Sequence, residues 1–271
     1  MSSVREYYEH NTRWFLRFGQ EQVIHRALWG PGVADVRAAV HFAHDQLVAE
    51  LAGVARALDL GCGVGTTSAV VARRLGAEVV GVSISETQVA LARAAVAERG
   101  PVGVTFEVAD FCALPASLGT FGGAFAIEAF AHAPDPAAFF TSVAQRVVPG
   151  GVLVVIDDVR APEVPPDDPV VARFVRGWRV PSVRPVRELS EVAASAGWSL
   201  TRDVDFTGYV RTWRPRDRLV HWLQPLIRLG EARDPWLASL VGGDALQVGL
   251  STGRIHHRML VYRRQDGTPT P

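Results

Sequence analysis

The sequence predicts an α/β fold: a mainly parallel sheet with helices on both faces, an N-terminal helical segment, and a lid inserted before the last strands. Three observations carry this. Between residues 55 and 156, short apolar runs of strand length alternate with segments of helical period, the signature of repeated strand–helix units. A glycine-rich turn joins the first strand to its helix. From Arg160 prolines become frequent and helical stretches intervene before one last apolar run.

The elements follow in order. Residues 34–51 place Val36, Val40, Ala43, Leu47 and Leu51 at helical spacing, within a helical cover over residues 1–50. Residues 55–60 form a short buried strand, 66–75 a helix, 78–82 a second strand and 85–99 a long helix. Ser85 suits the N-cap of that helix, because its hydroxyl can accept from unpaired amides of the first turn. Strands follow at 104–108 and 124–127, then a helix at 136–147. Pro149, Gly150 and Gly151 break it before a fifth strand at 152–156. The core thus spans 51–160. A lid over 161–250 holds Pro162, Pro165, Pro166, Pro169, Pro181 and Pro185, with helices at 186–197, 219–229 and 235–240. A last strand at 254–263 lies in the closing segment 251–271, whose tail reads as disordered.

Composition narrows the function. Of 271 residues 48% are hydrophobic, enough for a large core, and the formal net charge is zero, without the basic excess of a general nucleic-acid binder. All 28 basic residues are arginine, which removes lysine chemistry such as a Schiff base. Two cysteines, Cys62 and Cys112, make no disulfide framework and suit a reduced, cytoplasmic setting. The N-terminus has no apolar signal-peptide core and no window is long and apolar enough for a membrane span. A homodimer is the ordinary prior for such a chain.

The strongest motif is Asp59-Leu60-Gly61-Cys62-Gly63-Val64-Gly65, between the first strand and its helix. Such a turn lets a ligand approach the backbone and presents free amides at a helix N-terminus. Its spacing, G-x-G-x-G behind an acid, departs from the G-x-G-x-x-G of hydride-transferring dinucleotide sites. It resembles the cofactor loop of class I S-adenosyl-L-methionine (SAM)-dependent methyltransferases, which have a Rossmann-like fold. The resemblance implies that Gly61, Cys62 and Gly63 pack against the methionine part of the cofactor and that Asp59 helps hold its amino group.

Other positions extend the likeness. Gly81-Val82-Ser83-Ile84-Ser85 with Gln88 resembles the sterol, prenyl and natural-product branch of that family. By that likeness Ser83, Ile84 and Gln88 lie by the ribose and adenine, although Ser83 also suits a plain turn. Asp110 and Phe111, after the third strand, match the adenine site. Glu128 and His132, after the fourth, match an E-x-x-x-H pattern. They should face the cofactor and the acceptor, Glu128 as cofactor neighbour, substrate holder or proton acceptor, His132 as base. Both also suit structural roles. Asp157 and Asp158 end the fifth strand: Asp157 is a further candidate base, and the two acids could share a metal only if the strand has ended there. No metal is expected. Tyr7, Tyr8, Trp14, Phe15, Phe18, His25 and Trp29 crowd the N-terminal segment, which in that branch folds over the cofactor.

The resemblance implies methyl transfer by in-line displacement to C or O of a small, largely apolar molecule, such as a prenyl compound or polyketide. A second reading keeps fold and cofactor but closes a ring without methyl transfer. A third is a non-catalytic SAM-binding subunit. A nucleic-acid methyltransferase lacks support, since no N/D-P-P-Y/F motif follows the fourth strand.

Overall fold

A computed structural model describes residues 25–99 and 103–266. Residues 1–24 of the predicted N-terminal cover, with its tyrosines, Trp14, Phe15 and Phe18, lie outside the described residues, as does the tail from 267. In chain order the elements are α1 Val36–Glu50, β1 Arg56–Leu60, α2 Thr66–Leu75, β2 Glu78–Ser83, α3 Glu86–Arg99, β3 Val104–Val108, β4 Phe121–Ile127, α4 Pro136–Ala144, β5 Val147–Arg160, α5 Pro169–Trp178, α6 Val186–Ser195, β6 Trp198–Asp205, α7 Pro215–Ile227, α8 Pro235–Ser251 and β7 Ile255–Arg264. The seven strands lie in the order β3-β2-β1-β4-β5-β7-β6. β1 to β5 are parallel, and β7 runs antiparallel between β5 and β6.

Strand alternation divides the core. One face buries Leu58, Val80, Ala124 and Val155 against Phe139 and Phe140 of α4, Leu189 of α6 and Trp198. The other buries Ala57, Val79, Phe125 and Ile156 against Leu47 of α1 and Val71 of α2. A separate cluster joins Val171 and Phe174 of α5 to Leu246 and Leu250 of α8. Near-continuous apolar strands are what two covered faces require.

Two strands depart from expectation. β5 runs to Arg160 rather than ending near Ile156, because β7 pairs with it from Val152 to Arg160. The stretch 161–250 is not all lid: Trp198–Asp205 joins the sheet edge by pairing with β7. Its apolar Trp198, Leu200 and Val204 follow a strand period interrupted by a register shift between Leu200 and Arg202.

Candidate active site

The predicted site residues lie at the carboxyl ends of β1, β2, β3 and β4, with Asp157 on the neighbouring β5, where sheets of this topology bind ligands. Beyond Leu60 the chain turns sharply. Gly61 has φ +88°, and its amide and that of Cys62 both donate to the Val82 carbonyl at 2.9 Å, tying the turn to β2. A Cβ on Gly61 would stand 2.5 Å from the Ala129 Cβ, so glycine here satisfies the protein's own packing between the β1 and β4 ends. Gly65, φ +81°, caps α2 against the Phe106 ring. Gly63, φ +53°, is only half-buried.

Asp59, the penultimate residue of β1, is buried, and its Oδ2 accepts from the Ser68 hydroxyl at 2.6 Å. Burial pushes its carboxyl up to about 7, with the Ser68 bond opposing. Burial, then Asp59, also holds the Cys62 thiol above its ordinary value. At the end of β2 the Ser83 hydroxyl donates to Gln88 Oε1 at 2.9 Å and accepts the Ser85 amide at 3.2 Å. Ser85 caps α3 as predicted, its Oγ accepting from the Gln88 amide at 3.2 Å. Ile84 beside it is half-buried. The Ala109 amide donates to the Ser83 carbonyl at 3.1 Å, bringing the β3 loop alongside. There the exposed Asp110 accepts the Cys112 amide at 2.8 Å, and Phe111 reaches toward Gly61 and packs edge-on to Phe139.

Glu128 directly follows β4 with φ +49°, a strained conformation for a residue with a side chain and one found preferentially at functional sites. Its Oε1 accepts both the backbone amide of Arg26 at 3.0 Å and Arg26 Nε at 2.9 Å. Arg26 Nη2 continues to Asp158 Oδ2 at 2.8 Å, and Asp158 Oδ1 lies 3.0 Å from His257 Nδ1. The four form a polar cluster, half-buried at Arg26 and Glu128 and buried at Asp158 and His257, that joins the N-terminal segment to β4, β5 and β7. Burial alone would raise both acids, but the Arg26 guanidinium overrides it and holds Glu128 and Asp158 below the usual carboxylate range. Arg26 Nη1 is buried with no hydrogen-bond partner among the described residues. Sequence reasoning missed Arg26 and His257. Only the Ile24-His25-Arg26 string hinted at the first, and no local signal marks the second.

Asp157 needs correction. Because β5 continues past it, Asp157 and Asp158 point to opposite faces and cannot share an ion. Asp157 Oδ2 accepts the Ala131 amide at 2.9 Å and Oδ1 the Asp158 amide at 2.8 Å. Burial, then the Asp158 charge, pushes it up to about 7. It therefore braces the turn Phe130–His132 rather than facing Asp158. His132 in that turn is buried, and its Nδ1 lies 3.1 Å from the Arg179 carbonyl. A carbonyl only accepts, so Nδ1 carries the hydrogen and Nε2 the lone pair of the neutral ring. Burial lowers this ring to about 4, so it is neutral at pH 7.

His25 meets His44 of α1, and His44 also meets His41 of the same helix, with His25 Nε2 to His44 Nε2 at 2.8 Å and His41 Nδ1 to His44 Nδ1 at 3.1 Å. Among the described residues no group of three or more His, Cys, Asp or Glu is arranged to hold a metal ion.

Residues 57–151 match a family model described as a methyltransferase domain. An O-methyltransferase of Penicillium expansum is 35% identical over 163 residues, 60% of this chain and 57% of that protein. A 24-methylenesterol C-methyltransferase 2 of Oryza sativa subsp. japonica is 30% identical over 197 residues, 68% of this chain and 54% of that protein. The chain thus spans a little over half the length of these relatives. Among solved structures, the [4+2]-cyclase SpnF superposes with a TM-score of 0.75 at 24% identity, covering 97% of this chain and 96% of that one. That likeness is one of fold.

Proposed function

We propose, from a chain whose residues 57–151 belong to the methyltransferase-domain family, that it transfers the methyl group of S-adenosyl-L-methionine to carbon or oxygen of a small, largely apolar metabolite. One observation carries the reading. The glycine turn after β1 lies against Ala129, next to strained Glu128, so the expected cofactor loop and the expected acceptor residues adjoin.

The residues fit the cofactor. Asp59 is a buried acid that, among the described residues, accepts only the neutral Ser68 hydroxyl, an environment that favours a ligand ammonium. Gly61, Cys62 and Gly63 would border the methionine part. Ser83, Ile84 and Gln88 would border the ribose, and Asp110 and Phe111 the adenine. When bound, SAM supplies an activated methyl for in-line displacement.

The chain's own groups divide the remaining work. Glu128, held ionised by Arg26, is a weak base. Its role is to accept a hydroxyl hydrogen bond from the acceptor or to balance cationic charge. His132, neutral with a lone pair on Nε2, is placed to accept the hydrogen of an oxygen nucleophile, and burial makes it a weak base as well, so its part is to orient the acceptor and take its proton only as transfer develops. Asp157 acts as a positioning residue through the Ala131 amide. The substrate class is a specialised metabolite of prenyl, sterol-like or polyketide character. Two free thiols suit a cytoplasmic setting.

The test is incubation with methyl-labelled SAM and apolar acceptors from these classes, read by mass spectrometry. Labelled product and S-adenosylhomocysteine (SAH) in equal amounts are expected. A ring-closed product with SAM unconsumed would replace transfer by the cyclase reading.

A further inference from the structure

Helix α7 turns an apolar stripe outward. While its inner side packs on α8, Leu219, Trp222 and Leu226 are 56%, 77% and 67% exposed, and Leu229, just beyond its end, is 80% exposed. These are the four most exposed large hydrophobic residues among those described. Their spacing by three, four and three positions stacks them along one side of the helix. A contiguous apolar face left in water marks an interaction surface.

Charge identifies the partner. From 211 to 233 the chain has six arginines against two acids, Asp217 and Glu231, although it is neutral as a whole. Asp217 is buried and engaged by Arg214 at 3.0 Å. Arg218, Arg228 and Arg233 make no ion pair among the described residues. With about 100° of rotation per residue, Arg216 and Arg218 flank the apolar stripe on opposite sides. Leucine and tryptophan along one line, with cations beside them, is the pattern of a helix lying in a lipid interface. The apolar side chains enter the acyl boundary, and the arginines extend back to the phosphates.

We propose that α7 is an interfacial anchor that docks this chain reversibly on an anionic lipid bilayer. Among the described residues no helix is long and apolar enough to cross a membrane, so the association is peripheral. α8 links α7 to α5 through the 170–255 apolar cluster, and docking sets this lid-side unit against the phase in which apolar molecules dissolve. The surface stands independently of the transfer chemistry.

Flotation of the full chain with vesicles tests it. Wild type should float with phosphatidylcholine–phosphatidylglycerol vesicles, less with phosphatidylcholine alone, and less at high salt. Leu219→Ser with Trp222→Ser should weaken partitioning by at least about tenfold. Arg216→Gln with Arg218→Gln should lower it on anionic vesicles only. Both pairs are exposed, and circular dichroism checks that the variants fold. Wild type remaining unbound to either vesicle, or the serine variant floating equally well, would overturn the proposal. So would a wild-type dimer in sedimentation that the serine variant dissolves without any flotation, since the stripe would then belong to a second copy.

Discussion

Replacing Arg26 with methionine removes the guanidinium that bridges the half-buried Glu128 and the buried Asp158. Two charge-assisted bonds are lost, Nε to Glu128 at 2.9 Å and Nη2 to Asp158 at 2.8 Å, while the backbone amide bond to Glu128 can remain. Such bonds contribute about 1.5–3 kcal/mol each, and breaking a buried ion pair on one side costs about 3–5 kcal/mol. The two figures agree on a loss of about 3–5 kcal/mol at neutral pH, or roughly 6–20 °C in the unfolding midpoint for a chain of this size. The pH dependence follows from the folded acids being held below their unfolded values. Their stabilisation is present above the unfolded value, about 4, and is lost as pH falls through the folded value. Without Arg26 both acids move upward against the remaining pull of His257, so the variant's deficit is largest near pH 7–8 and shrinks toward about pH 4–5. Urea unfolding of both proteins at the two pH values measures this. A deficit under about 1 kcal/mol at neutral pH, or one equal at both, would refute the assignment of Arg26 as the neutralising centre.

Three further outcomes follow. Gly61→Val puts a branched side chain at φ +88° with its Cβ 2.5 Å from that of Ala129, and should lower stability by more than about 2 kcal/mol; a thermal midpoint like wild type would contradict the packing described. Because Asp59 lies near 7 and an ammonium pairs only with its ionised form, SAH binding should tighten as pH rises through about 7 and release a proton. In Asp59→Asn that dependence should flatten, and calorimetry in buffers of different ionisation enthalpy decides it. His132→Ala should reduce kcat by about 100-fold or more on an oxygen acceptor, and wild-type turnover would return the ring to a purely structural role.

The sequence made the parallel core readable because each strand–helix unit is local: its apolar run, its glycine turn and its cap, Ser85 among them, lie within a few residues of one another. It also located the turn at 61–65 and the positions that adjoin it. What it concealed was pairing over distance. β5 looked finished at Ile156 because Asp157, Asp158 and Arg160 are polar. In the fold Asp157 is satisfied by the Ala131 amide, Asp158 by Arg26 and His257, and Arg160 by Glu188. Arg26 reaches partners 102 and 132 residues away, beyond any window of periodicity. β6 was missed because its alternation is broken by a register shift. Helix α5 escaped notice among prolines, yet Asp168 and Pro169 open it as cap and first residue.

Calorimetric titration with SAH bears most directly on the central claim that the turn after β1 receives a sulfonium nucleoside. Saturable one-to-one binding is predicted for the native chain, and Gly63→Val, which fills the half-buried middle of that turn, should abolish it while the fold persists. No binding heat for the native chain, or undiminished affinity in the variant, would contradict the account.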